Sequence, residues 1–220
     1  MCEAARSATS GRPINIVVVS PLDHFVYTSL LPEVSTGVIE PRHLAVSLHR
    51  VLRSSRIILG EVTAIDIDSK TAQIRLVDDS STSISWDRLV LAPGASVAGP
   101  DVPGIGQHAI GFKTLAQAAY LRDHVLRQLT LADTTECDRY ARSTFVVIGG
   151  GYTGTELAAQ MQWFTLRAVK RYRNLTAQDL GWVLVETRPQ LMAQLGSHLG
   201  STALTHLRRR GVDVRLSTTA

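Results

Sequence analysis

Apolar and polar positions along the chain follow two different periods, and the switches between them set out the elements. Ile14-Asn15-Ile16-Val17-Val18-Val19 is rich in β-branched residues and follows Gly11 and Pro13, which reads as a strand. Pro41 suits the first turn of a helix, and Leu44, Leu48 and Leu52 give that helix one inward face. Short strands are expected at Ile57–Leu59, Val62–Ile67, Ala72–Val77 and Arg88–Leu91, with a turn at Asp78-Asp79-Ser80-Ser81. A helix from about Thr114 to Thr130 turns Leu115, Ala118, Leu121, Val125 and Leu129 to one side. Phe145–Ile148, Trp182–Val185 and Val212–Leu216 then read as strands, separated by helices, the second of which carries Leu199, Ala203 and Leu207 inward. Residues 3–10 read as the tail of a helix. Strands alternating with helices predict an α/β fold with a parallel sheet.

One junction in this pattern carries chemistry. Phe145-Val146-Val147-Ile148 runs directly into Gly149-Gly150-Gly151-Tyr152-Thr153-Gly154, and Glu156-Leu157-Ala158-Ala159-Gln160-Met161 continues as helix. A GxGxxG pattern is weak alone, but between a strand and a helix it predicts a dinucleotide site. Gly149 allows the tight turn, Gly151 lets the backbone approach a pyrophosphate, and Gly154 lets the helix pack on the strand. The pyrophosphate would sit on the free N–H groups and positive dipole end of that helix. The next strand, Trp182-Val183-Leu184-Val185, closes on Glu186, the position from which a carboxylate accepts bonds from ribose hydroxyls and repels a 2′-phosphate. NAD is therefore favoured over NADP, a preference softened by Arg188. A glycine-rich turn holding no ligand is the competing reading, and it does not account for the acid.

Composition narrows the partners. Hydrophobic residues make up 45% of the chain, ample for a core, and 220 residues leave room for one or two domains. The formal charge of +4 is modest, and its densest run, Arg208-Arg209-Arg210, ends a helix just before Gly211. Cations there suit the helix dipole and glycine suits the cap, so no nucleic-acid partner is expected. No run approaches the ~18 apolar residues of a membrane span. Cys2 and Cys137 form no CxxC pair, which indicates neither a redox couple nor a zinc site, and no metal is expected. Reduced thiols fit a cytoplasmic setting.

Several further stretches resemble the FAD-dependent pyridine nucleotide oxidoreductases, and among them the type II NADH dehydrogenases. Val17–Phe25 followed by Leu30-Leu31-Pro32-Glu33-Val34-Ser35-Thr36-Gly37 looks like the second strand of that family's FAD domain and the loop after it. Trp86–Gly94 is similar to the family strand ending in Ala-Thr-Gly, which places Ala92 and Gly94 against the flavin cofactor. Gly111–Leu115 resembles the lead into the linking helix, and Gly149 to Glu156 with Glu186 to Pro189 resembles the NADH motif. The resemblance implies two Rossmann-like dinucleotide-binding domains, both incomplete: a partial FAD-binding domain over 1–110 and an NADH-binding domain over 111–220. It further implies transfer of electrons from NADH through FAD to a quinone or similar small acceptor. Glu156 aligns with a glutamate that the family places near the nicotinamide and quinone, and its place in the first turn of a helix gives an independent, purely electrostatic reason for it. A peripheral position on the inner face of a membrane, and a homodimer, belong to the same implication.

Departures from the family pattern temper these expectations. The family opens with its own strand and GxGxxG for FAD, whereas Met1 here falls inside the helix that should follow them. Ser20 stands where the second strand usually ends in an acid, with Asp23 three residues on, and Pro93 replaces the threonine of Ala-Thr-Gly. Impaired FAD binding is expected. The alternatives are a non-catalytic NAD-binding module or decayed relative, a subunit completed by a partner chain, and a ferredoxin-reductase-like electron-carrier reductase.

Overall fold

A computed structural model of the chain describes residues 14–94 and 102–220. The expected helix tail at 3–10 lies outside the described residues. The chain divides into two compact units, one formed by Met1–Tyr27 with Arg42–Ala95 and the other by Thr28–Pro41 with Ser96–Ala220.

The first unit begins with β1 (Val17–Ser20) and β2 (His24–Val26). The chain then lends α1 (Leu31–Ser35) to the second unit and returns through α2 (Pro41–Leu44), β3 (Ala45–Ser47) and α3 (Leu48–Val51). The single helix expected over Leu44–Leu52 is thus split. Phe25 pairs with Val46 in an antiparallel β2–β3 ribbon, and cross-strand pairing of β-branched Val46 wins over the weak 3.6-residue period. Leu44 is still buried, as the leucine pattern requires. β4 (Arg56–Asp66) is one long strand rather than two, with a register shift between Val62 and Ala64. It lies parallel to β1 and antiparallel to β5 (Thr71–Leu76), which pairs in turn with β6 (Ser81–Ser85). The β5–β6 turn falls where Asp78 and Asp79 predict it: the Asp78 carboxylate accepts from the Ser80 N–H at 3.1 Å and its hydroxyl at 2.6 Å. Arg88–Leu91 is not a strand. Val90 and Leu91 lie 76% and 66% exposed, and among the described residues no neighbour supplies the ladder their β propensity needs.

In the second unit, α4 (Ile105–His108) leads to α5 (Leu115–Thr134), which ends four residues later than the sequence pattern suggests. α5 opens with a capping box: Thr114 Oγ1 accepts from the Gln117 N–H and Gln117 Oε1 accepts from the Thr114 N–H, each at 3.1 Å. After α6 (Arg139–Ser143) come β7 (Thr144–Ile148), α7 (Tyr152–Ala168), β8 (Gly181–Val185), α8 (Ser197–Arg209) and β9 (Val212–Arg215). The strands form a parallel sheet in the order β7-β8-β9. One core joins Val147, Leu184 and Val214 of the sheet to Val125 and Leu129 of α5, Leu157 and Met161 of α7, and Leu207 of α8. Trp182 stacks on Phe145 and donates its indole N–H to Thr165 Oγ1 at 2.9 Å, so its one polar atom is satisfied inside. α1 packs against α5 and α7, with the Ser35 hydroxyl set against Met161 Sδ. On β7 the period-two pattern leaves Val146 and Ile148 57% and 41% exposed beside buried Val147. On α8, Leu199 faces outward, contrary to the sequence pattern. Gly200 takes the inner position, because any Cβ there would strike the Leu191 carbonyl.

Leu184 is fully buried at the centre of the sheet. Leu184→Ala is expected to lower unfolding free energy by about 2–5 kcal/mol, measured by chemical denaturation.

Candidate functional site

The glycine turn between β7 and α7 is built by three glycines with three different jobs. Gly149 has φ +100°, a conformation open to glycine, and its N–H bonds the Val185 carbonyl at 2.8 Å. Gly151 is the N-cap of α7, has ordinary extended φ, and has open space where a side chain would stand. Gly154 lies in the first turn of α7, where a Cβ would collide with the Gly149 carbonyl oxygen. Gly150 between them is buried against Leu191 and Glu186. No side chain caps α7, so its first-turn N–H groups form a cradle open to an anion beside the bare face of Gly151. Tyr152 and Thr153 flank that opening as exposed residues.

Glu186 follows β8 and reaches this turn. Its Oε2 accepts the Gly150 N–H at 2.6 Å, and its Oε1 accepts the Arg188 N–H at 2.8 Å. The acid expected from the strand pattern is therefore brought to the glycine loop, on parallel strands in register from Thr144 with Gly181 to Ile148 with Val185. The residues present fit a dinucleotide: an uncapped helix start, an open glycine and a carboxylate at the end of the neighbouring strand.

Glu156 sits elsewhere than the sequence suggests. α7 begins at Tyr152, so Glu156 falls in the second turn, beyond the reach of most of the dipole benefit. It lines a cavity of about 500 Å³ together with Glu33, Trp163, Leu166 and Arg210. Burial, and then the neighbouring Glu33, raise its pKa above the ordinary carboxylate value. Glu33 is the residue sequence reasoning missed. Its Oε2 is buried without a hydrogen-bond partner, and Gln160 Nε2 reaches only its Oε1, at 3.5 Å. A lone carboxylate inside the apolar run Leu30–Val34 was the available signal. Arg210, at the basic end of α8, also ties α8 to α7, its guanidinium donating to Gln162 Oε1 at 2.8 Å and to the Ala159 carbonyl at 2.8 Å.

Ala92 and Gly94 lie in the first unit, in an exposed irregular segment where Gly94 has φ +75°. The structure does not gather a cofactor cradle around them among the described residues. At the end of β1, the Ser20 hydroxyl is bonded to the Leu22 carbonyl at 2.8 Å and the Asp23 carboxylate to His24 Nδ1 at 2.7 Å. Ser20 offers no carboxylate to the ribose of a second dinucleotide, and the Asp23 carboxylate pairs through Oδ1 with its neighbour His24. No described helix is long and apolar enough to cross a membrane.

Comparison with known proteins agrees with this geometry. The family model "Pyridine nucleotide-disulphide oxidoreductase" matches residues 2–220. The chain is 30% identical to the type II NADH:quinone oxidoreductase NdhA of Mycobacterium tuberculosis, over 97% of this chain and 46% of that protein. It is 26% identical to the external NADH-ubiquinone oxidoreductase 2 of Saccharomyces cerevisiae mitochondria, over 93% of this chain and 39% of that protein. The chain thus spans less than half the length of these relatives. Among solved structures, NDH2 of Plasmodium falciparum in complex with NADH superposes with a TM-score of 0.84 at 19% identity, over 92% of this chain and 43% of that one. That likeness carries the fold.

Two outcomes are expected from this site. Gly151→Ala leaves chemical-denaturation stability within about 0.5 kcal/mol of the parent, whereas Gly154→Ala lowers it by about 1–3 kcal/mol through overpacking. Because the folded state holds the Glu156 proton more tightly than the unfolded chain, stability falls as pH rises from the ordinary carboxylate value through the raised one. Glu156→Gln removes that loss, so the variant gains stability relative to the parent in thermal melts as pH rises above the ordinary carboxylate value.

Proposed function

This chain belongs to the pyridine nucleotide-disulphide oxidoreductase family, and we propose that it works as an NADH dehydrogenase-like oxidoreductase whose second unit holds NADH. The observation that carries the reading is the junction of the open glycine turn with the Glu186 carboxylate. The α7 N-terminus and Gly151 would hold the pyrophosphate, with Tyr152 and Thr153 beside it. Glu186 would accept from the adenosine ribose and disfavour a 2′-phosphate. NADH supplies a hydride when bound. The acceptor proposed for the whole protein is a quinone or a similar small molecule, on the strength of the matched relatives' names. Glu156, which shares a cavity with Glu33 and holds its proton more tightly than an ordinary carboxylate through burial and that neighbour, is the catalytic candidate.

FAD is the cofactor that the family implies for the first unit. A serine hydroxyl rather than a carboxylate at the end of β1 supports weak binding there by this chain. The same observation favours a second reading, in which the chain binds NADH without turning it over.

The purified 220-residue chain is expected to bind NADH saturably in isothermal titration and to lose its flavin absorbance on desalting after incubation with FAD. Retained flavin would overturn the weak-binding assignment, and its bleaching by NADH would establish that this chain carries out the reductive half-reaction. Absence of any NADH binding would overturn the dinucleotide reading.

A further inference from the structure

Gly150 is held at both its N–H and its carbonyl. Its N–H donates to Glu186 Oε2 at 2.6 Å, and its carbonyl accepts from the Met192 N–H at 2.8 Å and from Thr155 Oγ1 at 3.2 Å. Met192 reaches it from a left-handed backbone conformation, φ +48°, just after β8. A Cβ on Gly150 would press on both Leu191 and Glu186, so the acid and the turn are also in van der Waals contact. The Glu186 carboxylate accepts at Oε1 from the Arg188 N–H at 2.8 Å and from Thr187 Oγ1 at 3.2 Å. Three donors therefore fix the carboxylate, and through it one of them, the Gly150 amide, is turned away from the anion cradle.

We propose that Glu186 is a positioning residue for the phosphate-binding turn itself, as well as the ribose-side group expected from the strand pattern. The inference rests on the dinucleotide reading above and deepens it. A carboxylate drawn to a buried backbone N–H makes a charge-assisted bond, the stronger class of hydrogen bond. That bond orients the Gly149–Gly150 peptide before any ligand arrives, and Met192 and Thr155 hold the carbonyl of the next peptide, so the N–H groups from Gly151 onward are already aimed outward. The two roles of Glu186 then oppose each other for an anion. Its charge repels phosphate, while its bond to Gly150 shapes the place where phosphate sits. Replacing the acid to admit a 2′-phosphate should for that reason loosen the pyrophosphate subsite.

Inorganic pyrophosphate has no ribose and isolates the turn from the sugar. The parent chain and Glu186→Gln are titrated with it while the backbone amide resonances of Gly150, Gly151 and Tyr152 are followed by NMR, with those of Leu184 and Val214 reporting the intact core. In the parent, the Gly150 amide is expected downfield, and in Glu186→Gln it is expected to move upfield as the charge-assisted bond is lost. In Glu186→Gln, pyrophosphate affinity is expected to fall about tenfold or more with the core resonances unchanged. Unchanged or tighter pyrophosphate binding in the variant, the result that charge repulsion alone would give, overturns the proposal. Parent chain that binds pyrophosphate but not NADH would overturn the dinucleotide reading and leave the role of Glu186 standing; parent chain that binds neither overturns both.

Discussion

The second unit depends on one close approach, that of the first turn of α7 to the carbonyl of Gly149. Only a residue without a Cβ fits at Gly154, and once it is there the helix axis is fixed relative to β7. Leu157, Ala158 and Met161 then meet Val147 and Leu184 in the shared core, and the uncapped helix start faces outward beside Gly151. The packing requirement and the anion cradle are thus the same geometric fact. A helix displaced by one side-chain layer would lose both the core contact and the cradle.

This is why the glycine turn was so legible. Each of its features is local: an apolar run, glycines at fixed offsets, a helix-forming stretch, and an acid at the end of the next strand. The capping box at Thr114 and Gln117 and the Asp-rich β5–β6 turn are local in the same sense. What escaped notice depends on tertiary context. The leucine spacing across Leu44–Leu52 suggests one helix, but β2 lies alongside and draws Val46 into a ribbon. Leu199 fits an amphipathic period, yet the neighbouring Leu191 carbonyl admits a glycine in the inward position and leaves the leucine outside. Arg88–Leu91 has the composition of a strand and no partner among the described residues.

The candidate site divides along the same line. Gly149, Gly151, Gly154 and Glu186 meet as their spacing suggests, while Ala92 and Gly94 belong to the other unit. Glu156 stands out by its match to the family's glutamate, but its raised pKa comes from burial and then from Glu33, which lies far away in the sequence and enters through the packing of α1 on α7. No spacing rule connects a carboxylate in a short early helix to one in the glycine-motif helix. Their electrostatic coupling exists only once the unit has folded.

The exposed faces of Val146 and Ile148 have a thermodynamic consequence. A parallel sheet is ordinarily covered on both sides, but here part of β7 already meets water in the folded chain. Unfolding therefore uncovers less new apolar surface than a fully sandwiched sheet would. Since newly hydrated apolar area dominates the heat-capacity increment, the increment is smaller for this chain and its stability varies less steeply with temperature.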